Sequence, residues 1–407
     1  MNDVNSKMNS GASLRVLHFR RIFSLLSEPF IYEPIVEMAE FGVDTHVLTL
    51  ARMNSDRRPF PADALVTLPQ RLHSDRLLAR AFSSRFQLSE LDRVLWPVLR
   101  RAVKARILKK QPDVIVAHFG PEGCLMGPLA RQLGIPLAVA FYGYDVSRLT
   151  VQAGRRWRAN YRRLFEQADL LLGISNHITQ RLTELGAEPE KVRRVPLGTR
   201  LDRFKYRDPA ADYRGGKVRC VHVGRLTAKK APLHLIRAVH YARQLCQGRP
   251  EIELVLAGTG ELQESCACEI ERLQLQGAVS MLGAVPHKDI PRLLAEAHLY
   301  TQHCMTAPNG DMEGLGVSFV EASASGLPVV TTRHNGIPDV VLHEKTGLLS
   351  PEGDVQAMGR NIAALASRPE QWSRLGRRGR QHVERSFALA VTVPRLLGVL
   401  REILPVR

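Results

Sequence analysis

Short apolar runs alternate with longer amphipathic segments along almost all of this 407-residue chain, and this alternation constrains its fold more than any other feature. In the first half, runs of strand length cover residues 14–19, 45–50, 64–68, 113–120, 136–145, 169–176 and 191–198. In the second half, they cover residues 218–223, 253–260, 279–287, 299–304 and 326–332. Strands that alternate with helical segments are typical of parallel sheets with helices on both faces. Because the chain is too long for one ordinary core, the sequence predicts an α/β protein with two doubly wound, Rossmann-like domains.

The apolar pattern is interrupted once, between residues 199 and 216. This segment contains Pro209 and the pair Gly215-Gly216, which are typical of a linker. We therefore expect a first domain at residues 1–198, a hinge at 199–216, a second domain at 217–375 and a helical tail at 376–407.

Composition and charge exclude several classes of protein. The six cysteines form no Cys-x-x-Cys pair, so neither a disulfide framework nor a zinc site is expected. We find no signal peptide and no apolar run long enough to span a membrane. The net charge of +17 is uneven, because residues 71–110 hold 11 Lys or Arg against 3 acids and residues 148–163 hold 6 Arg against none. Such concentrations indicate a polyanionic partner.

One stretch, residues 312–339, combines two carboxylates with a flexible loop. Glu313 stands beside Gly314 and Gly316, and an apolar run that contains Glu321 predicts a short buried helix ended by Gly326. Free amides at the positive end of this helix would lie between the carboxylates, which suits a sugar, a diphosphate and a ribose bound in that order. The alternative is a loop acid and a solvated helix residue, which have no ligand.

Two cations follow the first strand of the second half. Gly224 and Arg225 come directly after the apolar run, and Lys230 follows five residues later, before a helix. Arginine can bind a diphosphate through two hydrogen bonds, and lysine adds a mobile charge. A chance surface pair in a basic protein is the alternative. Gly258 belongs to a Gly-x-Gly loop at the next strand end, where another group can approach the backbone closely.

Three segments of the first half also end strands or begin helices with polar residues. Residues 136–145 end in Tyr142, Gly143 and Asp145, and a structural role for Asp145 at the strand end is left open beside a role in binding. His118 could supply an imidazole from the neighbouring strand, or it could be an ordinary buried histidine. In the first strand–helix loop we expect Ser27 to cap the helix. Because that loop has no glycine-rich phosphate motif, Ser27 and Glu28 would face the acceptor or the cleft.

These motifs together resemble those of the retaining glycosyltransferases of family four. The spacing of Glu313 and Glu321 matches the family's E-x7-E signature, and Arg225 with Lys230 matches its Gly-Arg-Leu-x-x-x-Lys motif. Residues 142–145 resemble its His-Gly-x-Asp motif, with Tyr142 at the histidine position. The loop around Ser27 and Glu28 is similar to that of exopolysaccharide-type members. The resemblance implies the GT-B architecture, in which two Rossmann-like domains face a cleft and the C-terminal tail crosses back to the first domain.

The resemblance also implies an activity, namely transfer of a sugar from a nucleoside diphosphate donor with retention of anomeric configuration. The catalytic residues would be Glu313, Arg225, Lys230 and Asp145. The donor would be a UDP- or GDP-sugar, bound by the second domain, with no cofactor and no metal; the chain contains no Asp-x-Asp pair. The donor-binding residues would be Glu321, Gly314, Leu315, Gly316, Val317, Gly224, Gly258, Tyr142 and Gly143.

The acceptor is expected on the first domain, where the positive charge is concentrated. Apolar residues at helical spacing between 91 and 103 are interleaved with basic ones, which is typical of a solvated helix face or of a membrane-surface helix. We expect Arg100, Arg101, Lys104 and Arg106 to contact the anionic inner face of the cytoplasmic membrane, where a cytoplasmic, peripheral enzyme would meet a polyprenyl-diphosphate-linked saccharide. Exopolysaccharide or lipopolysaccharide synthesis is the implied setting. A GT-B epimerase and a non-enzymatic binder of anionic lipid or nucleic acid are the alternatives, although no nucleic-acid motif is present.

Overall fold

The computed structural model describes residues 13–67, 88–152 and 154–405. Residues 71–87 of the basic run 71–110 therefore lie outside the described residues, as do the side chains of residues 88–98, which include most of the apolar residues at helical spacing between 91 and 103. The strands of the first half are Arg15–Phe19 (β1), Ile22–Phe23 (β2), Asp44–Thr49 (β3), Ala51–Arg52 (β4), Leu65–Thr67 (β5), Val114–His118 (β6), Leu137–Phe141 (β7), Leu170–Gly173 (β8) and Val192–Arg194 (β9). Its helices are Pro29–Glu40 (α1), Leu88–Lys110 (α2), Gly120–Leu133 (α3), Arg148–Gln152 (α4), Gly154–Gln167 (α5) and Asn176–Glu184 (α6).

The first half forms a parallel sheet with the strand order β5-β3-β1-β6-β7-β8-β9. The apolar runs at 113–120 and 136–145 become β6 and β7, whose residues are all buried because helices cover both faces. The order of the strands reverses between β1 and β6. In open parallel sheets, ligands bind beyond the carboxyl ends of the strands at such a reversal.

The second half repeats the same plan. Its strands are Lys217–Val223 (β10), Glu251–Ala257 (β11), Val279–Gly283 (β12), Leu299–Gln302 (β13), Val329–Thr332 (β14) and Gly347–Ser350 (β15). Its helices are Pro232–Cys246 (α7), Gln263–Arg272 (α8), Ile290–Ala295 (α9), Val317–Ala324 (α10), Ile337–Val340 (α11), Val355–Ala366 (α12) and Trp372–Ser386 (α13). The sheet is parallel, with the order β12-β11-β10-β13-β14-β15. The prediction of two doubly wound domains is confirmed.

A last helix, Leu389–Arg401 (α14), packs against the first half although it follows the second half in sequence. Its buried residues Leu389, Val393, Leu397 and Leu400 join an apolar cluster that contains strand residues of β1, β6 and β8. Beside the start of this helix, Thr199 pairs with Ala388 in an isolated parallel bridge. The chain therefore passes between the two halves twice, and the two connections touch.

Helix α2 uses its apolar side for packing. Val103 and Ile107 are fully buried in the core of the first half, whereas Arg101 is exposed and Lys104 is half-buried. In the part of the helix whose side chains the structure describes, residues 99–110, Val103 and Ile107 are thus covered by protein, whereas Arg101 and Leu108 face outward. Among the described residues, the structure contains no helix that is both long enough and apolar enough to cross a membrane.

Candidate active site at the domain interface

A buried ion pair lies at the centre of the site. The Lys230 Nζ atom, on a 3-10 turn after β10, is 2.9 Å from Oε2 of Glu313, and the two side chains are only 12% and 15% exposed. Burial opposes ionisation of Glu313, but the charges of Lys230 and Lys229 outweigh it and lower the pKa of Glu313 to about 2. Burial lowers the pKa of Lys230, but the negative charge of Glu313 raises it by more, so the pKa of Lys230 lies above its usual value. Both groups are therefore charged near neutral pH.

Lys229, which the sequence analysis did not select, holds the loop that carries Glu313. Its Nζ atom lies 3.3 Å from the Asp311 carboxylate and donates to the carbonyl oxygen of Met312 at 3.2 Å. The two consecutive lysines thus have different tasks: Lys229 fixes the backbone of the loop, and Lys230 meets the carboxylate at its end. Their adjacency in sequence is the signal that could have indicated this.

The backbone of Glu313 is fixed from the other side by His334. The amide of Glu313 donates to His334 Nε2 at 3.1 Å, and His334 Nδ1 is hydrogen-bonded to the carboxylate of Glu352. The His334 side chain is fully buried. Nothing in the local sequence indicated this pair, since His334 and Glu352 belong to loops beyond two different strands, β14 and β15.

Glycines allow the Glu313 loop to touch the first half. A Cβ atom on Gly314 would lie 2.2 Å from the carbonyl oxygen of Tyr142, and one on Gly143 would lie 3.4 Å from the Gly314 Cα atom. Nearby, a Cβ atom on Gly336 would lie 2.6 Å from Cβ of Ser175. The predicted donor-binding residues of the two halves are thus in direct backbone contact.

The second carboxylate, Glu321, lies on helix α10 as expected. This helix ends at Ala324, and Gly326 follows it with a φ of +91°, in the left-handed region. Glu321 Oε1 lies 2.8 Å from Nε2 of His287, and this hydrogen bond raises the pKa of His287. Glu321 is therefore a buried, partnered group, and its helix begins at Val317, directly after Gly316, with no side-chain cap. His287 was missed by the sequence analysis.

The loops after β10 and β11 pack closely. A Cβ atom on Gly258 would lie 1.9 Å from the carbonyl oxygen of Gly224, so only glycine fits there. The side chain of Arg225 is exposed beside this contact, and Lys230 passes Gly224, with its Cδ atom 3.1 Å from where a Cβ atom would be. The structure thus places the cation Arg225 at the surface and the cation Lys230 inside the same loop.

Asp145 is fully buried, and its carboxylate is hydrogen-bonded to backbone amides that include those of its own loop. Its carboxylate accepts hydrogen bonds from the amides of Gly143 at 2.8 Å, Tyr142 at 3.1 Å and Gly120 at 3.2 Å. Burial raises its pKa to about 6, against the effect of these amides. Of the two roles left open by the sequence, this geometry favours the structural one: Asp145 positions Tyr142 and Gly143.

His118 is buried and both of its ring nitrogens have partners. Nδ1 lies 2.6 Å from the hydroxyl of Tyr142, and Nε2 lies 3.0 Å from Nδ1 of His18. Burial lowers the pKa of His118 well below its usual value and that of His18 to about 3, so both rings are neutral. Tyr142, which stands at the histidine position of the motif that residues 142–145 resemble, is thus itself hydrogen-bonded to a histidine.

The first strand–helix loop differs from its prediction. Ser27 is exposed and does not cap helix α1; the cap position belongs to Glu28, whose side chain makes no capping hydrogen bond. Instead, Glu28 accepts two hydrogen bonds from Arg20, at 2.6 and 3.0 Å, and Arg20 also pairs with the buried Glu122. Glu28 is therefore a partner in an internal ion cluster. The cap prediction was wrong because helix α1 begins at Pro29, so the cap position falls on Glu28, one residue after Ser27.

The basic residues of helix α2 lie apart from this site. Arg100 donates to the side chain of Gln132 at 3.1 Å, and Arg106 reaches the carbonyl oxygen of Ala102 at 3.5 Å. Within residues 13–67, 88–152 and 154–405, no group of three or more His, Cys, Asp or Glu side chains is arranged to hold a metal ion.

Sequence comparisons identify the class of protein that has this fold and site. Residues 28–198 match the family described as "Glycosyl transferase 4-like domain", and residues 209–382 match "Glycosyl transferases group 1". The chain is 33% identical over 293 residues to the putative colanic acid biosynthesis glycosyltransferase WcaL of Escherichia coli, covering 71% of this chain and 70% of WcaL. It is 34% identical over 259 residues to the amylovoran biosynthesis glycosyltransferase AmsK of Erwinia amylovora, covering 62% and 61%.

Solved structures agree on the fold. The Anabaena protein HepE in complex with UDP superposes with a TM-score of 0.73 at 18% identity, over 96% of this chain and 100% of HepE. The lipopolysaccharide outer core galactosyltransferase WaaB gives 0.68 at 13% identity, over 96% and 100%. The chain belongs to the group 1 glycosyltransferases and has their GT-B fold.

Proposed function

We propose that the protein is a retaining, metal-independent glycosyltransferase that transfers a sugar from a UDP- or GDP-sugar to a saccharide acceptor during exopolysaccharide or lipopolysaccharide synthesis. One observation carries the proposal: Lys230 forms an ionised pair with Glu313, whose loop contacts Tyr142 and Gly143 of the other half. WcaL and AmsK, whose names refer to polysaccharide synthesis, support the setting. Membership of the family favours transfer over nucleotide-sugar epimerisation.

Lys230 is suited to the leaving diphosphate. A buried cation that is already held in place stabilises charge that develops on a leaving group without reorganisation. Arg225 supplies a second, exposed cation on the same loop, and the uncapped start of helix α10 offers the amides of Leu315, Gly316 and Val317 beside Gly314. These cations and amides together can balance a diphosphate, which supports a mechanism that needs no metal.

The two carboxylates, Glu313 and Glu321, would bind the remaining parts of the donor, which are the sugar and the ribose. Glu313 would accept hydrogen bonds from the sugar hydroxyls and hold the sugar near Tyr142, since its loop meets the first half. Glu321, fixed by His287, would accept hydrogen bonds from the ribose hydroxyls. Asp145 would act indirectly: its hydrogen bonds to the amides of Tyr142 and Gly143 would hold these two residues in position.

Donor binding can be tested directly. The purified protein is screened with UDP-, GDP- and ADP-sugars by thermal shift, since a ligand that binds only the folded state raises the unfolding temperature. We expect stabilisation by a UDP- or GDP-sugar and slow hydrolysis of that sugar without an acceptor. EDTA should change neither result. Strong inhibition by EDTA would contradict metal independence, and no stabilisation by any donor would contradict the proposal.

We also propose that the acceptor is carried on a polyprenyl diphosphate and that the basic side of helix α2 docks on the anionic inner face of the cytoplasmic membrane. Each basic residue near such a surface contributes about 1 kcal/mol, and salt weakens the attraction. The support is the outward position of Arg101 on a helix whose described apolar residues Val103 and Ile107 are buried in the core of the first half.

Co-sedimentation with phosphatidylglycerol vesicles tests the docking. Neutralising Arg100, Arg101, Lys104 and Arg106 together should abolish binding, and high salt should weaken it. A control variant neutralises four exposed arginines of helix α13, Arg374, Arg377, Arg378 and Arg385, which changes the net charge equally on the other half. Equal loss in both variants, or equal binding to neutral vesicles, would contradict a specific role of α2.

A further inference from the structure

Two polar residues, His334 and Glu352, occupy matching positions beyond two neighbouring strands of the second half. Strand β14 ends at Thr332 and strand β15 at Ser350, and these two end residues are register partners in the parallel sheet. His334 and Glu352 each follow two residues later, so the sheet brings them to the same place at its carboxyl edge. There, Nδ1 of His334 is hydrogen-bonded to Oε1 of Glu352. The transfer reaction proposed above gives neither residue a task.

This pair holds both ends of the loop that carries Glu313. At the start of the loop, the amide of Thr306 donates a hydrogen bond to Oε2 of Glu352 at 2.9 Å. At its end, the amide of Glu313 donates to Nε2 of His334 at 3.1 Å. Asn335 adds a longer contact, from its side-chain nitrogen to the carbonyl oxygen of Glu313 at 3.4 Å. The two ends of residues 306–313 are thus tied together by side chains from two other loops.

The partners of His334 fix which of its ring nitrogens carries the proton. A backbone amide can only donate, so Nε2 is the acceptor and carries no proton. Burial raises the pKa of Glu352, but the hydrogen bonds from His334 and Thr306 outweigh burial, so this pKa lies below its usual value. Glu352 is therefore ionised near neutral pH and can only accept, which places the proton of His334 on Nδ1.

His334 does not face the donor. Its side chain is fully buried, and both of its ring nitrogens have protein partners. Any effect of His334 on transfer must therefore pass through the loop, whose last residue, Glu313, meets Lys230 with its carboxylate. A misplacement of a reacting group by about 1 Å can lower a rate about a hundredfold. The position of the Glu313 backbone should therefore matter more for the rate than for donor affinity.

We propose that His334 is a positioning residue for the transfer reaction: its unprotonated Nε2 atom holds the amide of Glu313, and Glu352 holds the imidazole in the orientation and tautomer that this contact requires. The proposal rests on the function proposed above, because it assumes that Glu313 binds the sugar that reacts. It extends the machinery of the site from the carboxylate to the two loops behind it.

Two substitutions of His334 separate its two hydrogen bonds. The side-chain amide of asparagine falls near the position of Nδ1, and that of glutamine falls near the position of Nε2. His334→Asn therefore keeps a donor to Glu352 and loses the acceptor for Glu313, whereas His334→Gln keeps that acceptor and loses the donor to Glu352. Because the bond to the ionised Glu352 is the stronger of the two, a role confined to stability would make His334→Gln the more damaging variant.

Steady-state kinetics and thermal unfolding are measured for both variants with the donor found by thermal shift. We expect His334→Asn to lower kcat about tenfold, the scale of one buried hydrogen bond, and to change the KM of the donor less than about twofold. His334→Gln should lower kcat less than about threefold, although it lowers the unfolding temperature at least as much. His240→Asn, the same change at a half-buried histidine of helix α7, is the matched control and should leave kcat unchanged.

Glu352→Ala provides a second variant in case His334→Asn does not fold, since the Glu352 side chain is 35% exposed. It removes the group that holds the imidazole, so we expect kcat to fall about threefold with little change in KM. An unchanged kcat in the folded Glu352→Ala and His334→Asn variants would overturn the positioning role.

A double-mutant cycle tests whether His334 acts through Glu313. Glu313→Gln removes the charge of the carboxylate and leaves the backbone amide in place. In that background, His334→Asn should lower kcat no more than about twofold, because a residue that acts by placing a carboxylate has no effect once the carboxylate is gone. If the double variant instead loses the product of the two single losses, His334 does not act through Glu313 and the proposal is wrong.

Nitrogen NMR of protein labelled in histidine gives a readout that does not depend on transfer. The signals of His334 are assigned by their loss in His334→Gln, and we expect a protonated Nδ1 and an unprotonated Nε2 near neutral pH. A protonated Nε2 would overturn the proposal even in an active enzyme. If the wild-type protein binds no donor, the function proposed above fails, and the positioning role fails with it. If it transfers sugar but His334→Gln loses more kcat than His334→Asn, only the positioning role is overturned.

Discussion

The two halves of the molecule differ in the buried polar groups that lie behind their contact at the cleft. The wall from the second half is built from charged pairs, Lys230 with Glu313 and Lys229 with Asp311. At the contact with the Glu313 loop, the first half instead contributes the backbone of Tyr142 and Gly143, and the Tyr142 hydroxyl is hydrogen-bonded to His118, which like His18 is neutral because it is buried. The charged wall suits a group that gains negative charge as it leaves.

The buried carboxylates show the same contrast through their pKa values. Burial alone would raise the pKa of each, and it does so for Asp145, to about 6, because only backbone amides oppose it. Glu313 is also buried, but the charges of Lys230 and Lys229 lower its pKa to about 2. The buried Glu313 thus stays firmly ionised because two lysines face it, whereas the partners of Asp145 are backbone amides.

The first test asks whether the charged groups of the second half are needed for sugar transfer. We expect Lys230→Ala and Arg225→Ala each to lower the rate of transfer by at least about a hundredfold, the effect of losing one preorganised charge contact to a leaving group. Lys345→Ala, at an exposed lysine of the same half, is the matched control. Initial rates with the donor found by thermal shift decide the matter, and near wild-type turnover in either folded variant would remove that residue from the site.

The charged wall should also make stability sensitive to acid. Because the pKa of Glu313 is lower in the folded state than its usual value of 4.5, its stabilising effect is complete above pH 4.5 and is lost as the pH falls towards 2. The difference in free energy of unfolding between wild type and Glu313→Gln should shrink by about 2 kcal/mol between pH 6 and pH 3. Urea unfolding at several pH values measures it, with Glu344→Gln, at an exposed site, as the control. A difference that is independent of pH would show that Glu313 is not held by the lysines.

Substitutions of the two carboxylates of the second half, Glu313 and Glu321, should change different kinetic parameters. Glu321→Ala should mainly raise the KM for the donor, about tenfold, because its carboxylate is assigned to the ribose. Glu313→Gln should mainly lower kcat by a similar factor, because its carboxylate is assigned to the sugar that reacts. Steady-state kinetics with varied donor separates the two effects, and the reverse pattern would exchange the assignments.

The smallest expected effect on donor kinetics comes from substituting Asp339, which joins the second half to the first. Asp339 of the second half accepts hydrogen bonds from the backbone and side chain of Asn176, both at 2.8 Å, and lies 3.1 Å from Arg194. Asp339→Asn removes the charge but keeps an acceptor, so we expect the KM of the donor to rise about threefold, with a larger rise for Asp339→Ala. Equal kinetics in both variants and wild type would show that these bonds do not help to bring the walls together.

The sequence predicted the fold because its strands are buried on both faces and therefore appear as continuous apolar runs. It also located Glu313, Lys230 and Glu321, since these residues lie within short motifs at strand ends. It could not find His334 with Glu352, because the partners come from different loops and meet only through the order of the sheet. The pairing of Asn176 with Asp339 joins residues 163 positions apart.

The errors and open choices have the same origin. Serine is a favoured helix cap, but helix α1 begins one residue too late for Ser27 to cap it, and the local sequence does not fix its first residue so closely. The choice between two roles for Asp145 depended on where its carboxylate points. Three backbone amides from two separate loops donate hydrogen bonds to this carboxylate, and they come together only in the folded chain.

The position of helix α14 has a consequence for how the halves can move. Two adjacent chain segments, paired at Thr199 and Ala388, connect the halves, so any movement of one half relative to the other must be accommodated by both segments together. The same helix covers the sheet of the first half with Leu389, Val393 and Leu397. A fragment that ends at Gly198 would leave that surface bare to solvent, so the first half becomes a complete folding unit only after the last helix of the chain has been made.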